Sequence, residues 1–149
     1  MKRGKKIVYK KRTFPADINT VFNLLTELKT LQYIAFPYAK FEPLENNKNI
    51  IWKEGNIFTF KFKMFSVIPY GIHKIKVISF NKDEIYTNES NTHVPVWNHR
   101  IRLKENEDGT TDYSDEVEIN AGWKTIFVYW WAKSFYSHRQ RKWLKLLKK

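Results

Sequence analysis

A predicted β-hairpin in the last third of the chain constrains the fold most, because its turn fixes its own register. Alternating side chains predict strands over residues 97–104 and 110–120, joined by the tight turn Glu107-Asp108-Gly109. A three-residue loop of this kind places its last residue in the left-handed region, where glycine has no steric penalty. Gly109 therefore predicts that Asn106 pairs with Thr110, and every later pairing of the hairpin follows.

The outer face of the hairpin supports the same register. Arg100 is expected opposite Glu116, and Lys104 opposite Asp112. Opposite charges directly across two strands stabilise a sheet, whereas like charges in those positions destabilise it.

The inner face of the hairpin is mostly apolar but carries two polar side chains. In the predicted register His99 and Asp115 are diagonal neighbours within reach of each other. Polar groups on a covered face need hydrogen-bond partners. We therefore expect the imidazole and the carboxylate to pair.

The first part of the chain predicts one strand and two helices. A strand is predicted over residues 7–14 and ends at Pro15. Helical spacing follows over 18–25 and again over 28–34, and Asp17 is placed to cap the first of these helices.

Strand periodicity dominates the middle of the chain. The prolines within residues 37–43 predict a loop, and from Ile50 onward the hydrophobic period changes to two. Strands over 58–64, 73–77 and 85–91 then lead into the hairpin.

This order of elements predicts an α+β fold. One strand, two short helices and about six antiparallel strands precede a long helix that begins at Trp123. The apolar face of a twisted sheet of about seven strands must be covered, and only the segment 123–149 is long enough to cover it. The sheet is therefore expected to wrap around the C-terminal helix as one domain over residues 1–149.

Composition excludes several functional classes. The chain has 149 residues, 42% of them hydrophobic, and no cysteine. Disulfides, thiolate metal sites and cysteine nucleophiles are therefore excluded, and the absence of an apolar run of about 18 residues argues against a membrane-spanning helix. Because the basic start of the chain leads into a strand instead of an apolar signal core, we expect a cytoplasmic protein.

The net charge of +12 is concentrated in residues 1–12 and 137–149. Such blocks attract phosphate on nucleic acid or on anionic lipid, although they also serve solubility. Nucleic acid is disfavoured as a partner, because the chain has no zinc-finger spacing, no aromatic ribonucleoprotein signature and no glycine-rich phosphate loop. An anionic membrane surface stays open as a partner.

The long helix changes character along its length. Its second half, from His138 onward, is amphipathic and basic, whereas its first half is apolar almost all round. One arc of the first half holds Trp123, Phe127, Trp131 and Phe135, and the opposite arc holds Tyr129, Ala132 and Tyr136. The aromatic arc either fills the core or contacts a ligand.

Several local strings carry a family resemblance. They are Leu31-Gln32-Tyr33-Ile34-Ala35 with Pro37, Trp52-Lys53-Glu54-Gly55, Ile68-Pro69-Tyr70-Gly71-Ile72-His73, Trp97-Asn98-His99, Asp115-Glu116-Val117-Glu118-Ile119 with Ala121-Gly122, and Phe135-Tyr136-Ser137-His138-Arg139-Gln140. Together with the element order they resemble the SRPBCC helix-grip superfamily, which includes START-type lipid-transfer domains and polyketide cyclase/dehydrase-like proteins. The resemblance is greatest to an uncharacterised bacterial subgroup. It implies a cavity between the sheet and the long helix that takes an apolar or amphipathic ligand.

The candidate ligand-binding residues lie on the inner sheet face and on the aromatic arc of the helix. They are Phe58, Phe60, Phe62, His73, Ile75, Trp97, His99, Tyr113, Asp115, Trp123, Phe127 and Trp131. The sequence thus predicts a binding or carrier protein for a hydrophobic or amphipathic small molecule or lipid. Isolated polar contacts orient ligands in pockets of this character, and His73, His99 and Asp115 are assigned that role.

Alternatives come from other functional classes. A cyclase- or dehydratase-like enzyme would use His99 and Asp115 as acid and base on an enolisable ligand, as cyclase-like relatives suggest. A nucleic-acid-binding module would use the basic termini. A non-enzymatic role is favoured, because the chain shows no nucleophile motif and no cofactor fingerprint, and no cofactor is expected.

A metal site is the least favoured of these alternatives. Such a site could use two histidines and one carboxylate as its ligands. The candidates are His73, His99 and Asp115, and also Glu89 if its strand faces inward. Ligands on separate strands form no recognisable motif, so no metal is predicted.

Overall fold

Seven antiparallel strands form a continuous sheet in the computed structural model, which describes residues 5–44 and 51–148. The strands are β1 (Lys6–Phe14), β2 (Ala39–Pro43), β3 (Ile57–Met64), β4 (Ile68–Phe80), β5 (Glu84–Asn91), β6 (Val96–Glu105) and β7 (Thr111–Asn120), in the spatial order β1-β7-β6-β5-β4-β3-β2. The predicted change of period at Ile50 and the first residues of the basic N-terminal block lie outside the described residues.

Two short helices separate β1 from β2, and a long helix follows β7. The helices are α1 (Ile18–Leu25), α2 (Leu28–Ala35) and α3 (Thr125–Leu147), and a 3₁₀ turn, Gly122–Lys124, precedes α3. The long helix packs against β1, β7 and α2. The predicted α+β helix-grip architecture is confirmed.

The hairpin of β6 and β7 has the predicted register. The amide of Asn106 donates to the carbonyl of Thr110 across 2.8 Å, and Gly109 has a φ of 84°. The predicted charge pairs stand opposite each other, Arg100 with Glu116 and Lys104 with Asp112.

The N-terminal half agrees with the sequence at α1 and differs from it at β2. Asp17 caps α1, because its Oδ1 accepts a hydrogen bond of 2.8 Å from the amide of Thr20. The loop predicted over residues 37–43 is wrong, since five of those residues form the edge strand β2, which pairs with β3. An edge strand tolerates proline, and Pro43 is the last residue of β2.

The aromatic arc predicted for the long helix does not face the sheet along its whole length. Trp123 is 81% exposed and Phe127 is 68% exposed, whereas Phe135 is buried. The buried side chains of α3 are Thr125, Val128, Ala132, Phe135, Tyr136, Arg139, Gln140 and Trp143. Residues four apart drift by about 40° per step around a helix, so an arc with that spacing cannot face the sheet along its whole length.

Two hydrophobic clusters form the core of the described residues. One surrounds Phe60, Trp97 and Phe135, and the other surrounds Phe14 and Trp143. The first cluster holds α3 through a hydrogen bond, because Trp97 Nε1 donates to the hydroxyl of Tyr136 across 2.9 Å. The clusters meet beneath α3, and this junction positions the site.

Candidate functional site

A cavity of about 80 Å³ lies between the sheet and α3, where the two hydrophobic clusters meet. Its apolar wall includes Leu25, Leu31 and Ile34 from α1 and α2, and Phe41, Phe62, Ile75, Phe80, Ile85, Trp97 and Ile101 from the strands. Its polar wall consists of Thr30, His73, Thr87, Glu89, His99, Tyr136 and Arg139. Pockets for drug-sized ligands span roughly 300–1,000 Å³, so this cavity admits only a small molecule.

Glu89 occupies the centre of the polar wall. Glu89 lies on β5 between Ile75 of β4 and Trp97 of β6. Its side chain faces the cavity, which is the inward orientation of this strand that the sequence analysis left open. Its Oε1 lies 2.7 Å from His73 Nε2, and its Oε2 accepts a hydrogen bond from the hydroxyl of Thr87. The carboxylate is thereby anchored to its own strand and to β4.

Asp115 anchors the other end of the polar cluster. Its Oδ1 lies 2.7 Å from His99 Nε2 and accepts a 3.1 Å hydrogen bond from the Tyr113 hydroxyl, while its Oδ2 accepts one of 3.0 Å from Gln140 Nε2. The predicted pairing of His99 with Asp115 is therefore present. His99 Nδ1 lies 4.0 Å from Glu89 Oε2, so the two carboxylates and their histidines form one chain of polar groups across β4 to β7.

Both buried carboxyls are held in the ionised form. Burial opposes ionisation, but the hydrogen bond and charge of His73, together with the charge of His99, lower the pKa of Glu89 below its ordinary value of 4.5. The pKa of Asp115 lies below its ordinary value of 3.8, because the hydrogen bond and charge of His99 and the charge of Arg139 outweigh its burial. Burial and the neighbouring Asp115 raise the pKa of Tyr113, so its phenol stays a donor.

Arg139 brings a positive charge to the same wall. Its side chain is 5% exposed, and its guanidinium carbon lies 5.0 Å from the ring centre of Tyr136. Burial disfavours the charged form, but Tyr136, Tyr113 and the carboxyls of Asp115 and Glu89 raise the pKa of Arg139 above its ordinary value. The guanidinium is therefore charged.

The cluster does not have the arrangement of a metal centre. Within residues 5–44 and 51–148, no group of three or more histidine, aspartate and glutamate side chains is placed to hold a metal ion. The ring Nε2 atoms of His73 and His99 each contact a carboxylate oxygen instead.

The family model described as "Domain of unknown function (DUF8410)" matches residues 10–147. The chain belongs to the DUF8410 family. No curated protein matches this DUF8410 chain.

Solved structures identify the fold of the DUF8410 chain. A START superfamily protein from Mycobacterium smegmatis has a TM-score of 0.73 and 11% identity, covering 95% of this chain and 97% of that chain. The protein MLL2253 from Mesorhizobium loti has a TM-score of 0.74 and 14% identity, covering 96% and 97%. DynU16, a protein of the dynemicin biosynthetic locus, has a TM-score of 0.66 and 13% identity, covering 96% of this chain and 47% of that chain. The fold is therefore the SRPBCC/START-like helix-grip fold that the sequence resembles.

The structure brings some of the predicted ligand-binding residues to the cavity wall and leaves others elsewhere. Those at the wall are Phe62, His73, Ile75, Trp97 and His99. Those buried in the core away from the wall are Phe58, Phe60, Tyr113 and Asp115. Phe127 and Trp131 line a separate groove of about 190 Å³, and Trp123 is exposed. Contact between any of these residues and a ligand stays a prediction.

The sequence interpretation missed Arg139 as a residue of the cavity wall in the DUF8410 chain. A charged residue near the basic end of a helix usually faces solvent. A signal was nevertheless present, because Ala132, Phe135, Arg139 and Trp143 recur at spacings of three and four, the spacing of a buried helical stripe.

Proposed function

We propose that this DUF8410 chain is a binding or carrier protein for a small hydrophobic or amphipathic molecule. The cavity between the sheet and α3 supports the proposal most, because its wall combines apolar side chains with a few buried polar groups. The START-like fold supports it more generally, because a START superfamily protein shares this architecture of a curved sheet around a long helix. The volume of about 80 Å³ favours a compact molecule over a diacyl lipid.

Native mass spectrometry of freshly purified protein tests this proposal. We expect a non-covalent adduct of low mass that is lost on denaturation. The variant Ile101→Phe should lose the adduct, because Ile101 lines the cavity and the larger phenylalanine side chain is expected to fill part of it. Ile7→Phe is the matched control, since Ile7 is 50% exposed on β1. A bare protein mass, or an adduct that Ile101→Phe retains, contradicts the proposal.

We also propose an anionic bilayer as the surface on which ligand exchange takes place. The aromatic surface, defined here as Trp123, Ile126, Phe127 and Trp130, is exposed at the start of α3. Lys133 lies with its Nζ 5.0 Å from the ring centre of Trp130. Aromatic side chains beside lysines complement an anionic lipid interface in both polarity and charge.

The membrane proposal concerns surface docking. Within the described residues, no helix combines the length and the apolar character needed to cross a bilayer.

A further inference from the structure

Arg139 presents a charge to the cavity wall without a hydrogen-bonding partner among the described residues. Its side chain is 5% exposed and lines the cavity, and its Nε has no hydrogen-bond partner. Across residues 5–44 and 51–148, no aspartate or glutamate oxygen lies within 4.0 Å of the guanidinium, and no acceptor hydrogen-bonds to it. A buried charge in this condition carries a large desolvation cost.

The groups around Arg139 are committed to other partners. Glu89 is bonded to His73 and Thr87, and the oxygens of Asp115 are taken by His99, Tyr113 and Gln140. The rings of Phe135 and Tyr136, at 5.6 and 5.0 Å, give cation–π contacts that stabilise the charge but satisfy none of the N–H donors. The guanidinium therefore offers free donors at the cavity.

We propose that Arg139 binds the carboxylate of the ligand, so that the ligand is a small monocarboxylic acid with an apolar body. This inference rests on the proposed binding function. The planar fork of a guanidinium matches a carboxylate in a two-point hydrogen bond. Leu31, Ile34, Ile85 and Ile101 supply the wall against which the apolar body packs.

The surrounding charges select a monoanion over a dianion. Arg139 can neutralise one negative charge, while Glu89 on the same wall and Asp115 behind it repel any further one. A phosphate monoester therefore leaves an unpaired charge in the cavity, whereas a carboxylate does not.

Calorimetric titration with benzoate and benzamide tests the proposal, because the two probes have nearly the same shape and differ in charge. Wild-type protein should bind benzoate at least about tenfold more tightly than benzamide, since a buried charge pair is lost with the amide. Arg139→Gln should remove that preference, because it removes the positive charge that distinguishes the two probes. Arg141→Gln is the matched control, because Arg141 is exposed on the same helix and loses the same charge.

The outcomes separate this inference from the proposed function. Equal binding of both probes by the wild type, or a preference for benzoate that Arg139→Gln retains, overturns the carboxylate site and leaves the binding function standing. No binding of either probe overturns both.

A second measurement covers the case in which Arg139→Gln does not fold. In the wild-type protein, the Nε–Hε nuclear magnetic resonance signal of Arg139 should shift on addition of benzoate and not of benzamide, while that of Arg141 stays unchanged. A signal from Arg139 that is unmoved at saturating benzoate overturns the inference.

Discussion

Asp115 is the residue on which the polar cluster depends. It joins β7 to β6 through His99 and to α3 through Gln140, and it is completely buried. Because its folded-state pKa lies below its ordinary value of 3.8, its contribution to stability is present above that pH and is lost as the pH falls through the folded-state value. Asp115 lies behind the cavity wall, where its carboxylate holds the ring of His99 in place at the wall.

The variant Asp115→Ala tests this structural role. Removing one partner of a buried charged pair leaves the other groups unpaired, so we expect the free energy of unfolding in urea to fall by about 3–5 kcal/mol. Asp83→Ala is the control, because Asp83 is exposed in a turn and should change little. If Asp115→Ala unfolds like the wild type but loses turnover of an enolisable compound, the cyclase-like alternative is supported instead.

The same cluster shows which polar contacts a sequence can predict. The pair of His99 and Asp115 was predictable, because both residues belong to one hairpin whose register is set locally by Gly109. Arg139 was not predictable in the same way, because its place at the cavity depends on how α3 rotates against a sheet distant in sequence.

At the scale of elements, the rotation of α3 decides which aromatic side chains are buried. The small side chains of Thr125, Val128 and Ala132 face the sheet near the start of α3, while Phe127 and Trp130 point away. Residue size alone favoured the opposite assignment, because large aromatic side chains are usually buried. The edge strand β2 was missed because it has only five residues and ends in proline. An alternation of apolar and polar side chains over so short a segment does not distinguish a strand from a loop.

The aromatic surface leads to a prediction about membranes. Wild-type protein should co-sediment with vesicles that contain phosphatidylglycerol, and the bound fraction should fall as salt is raised. The double variant Phe127→Ala/Trp130→Ala should bind several-fold less, because it loses the most exposed apolar area of α3. Ile78→Ala, at a 39% exposed position on β4, is the control. Wild-type protein that shows no salt-sensitive sedimentation with these vesicles rules out the docking surface.

At the scale of the whole molecule, the fold provides a junction between two hydrophobic clusters, and the side chains at that junction set its chemistry. The solved structures compared above share the fold at 11–14% identity. Such a likeness shows the fold alone, and the chemistry of any site depends on the side chains of each chain. In this chain an apolar lining also carries Glu89, His73, His99 and Arg139, together with the hydroxyl groups of Thr30, Thr87 and Tyr136.

The proposed function requires that the junction of the two hydrophobic clusters be an accessible binding space for a small apolar body. Methyl-selective nuclear magnetic resonance during a benzene titration tests it most directly, because isoleucine methyl groups lie both at the wall and elsewhere. We expect saturable shifts at Ile75, Ile85 and Ile101, which line the cavity, and none at Ile119, which is buried outside it. Methyl signals of the wall that stay unmoved, or that move no more than Ile119, contradict the claim.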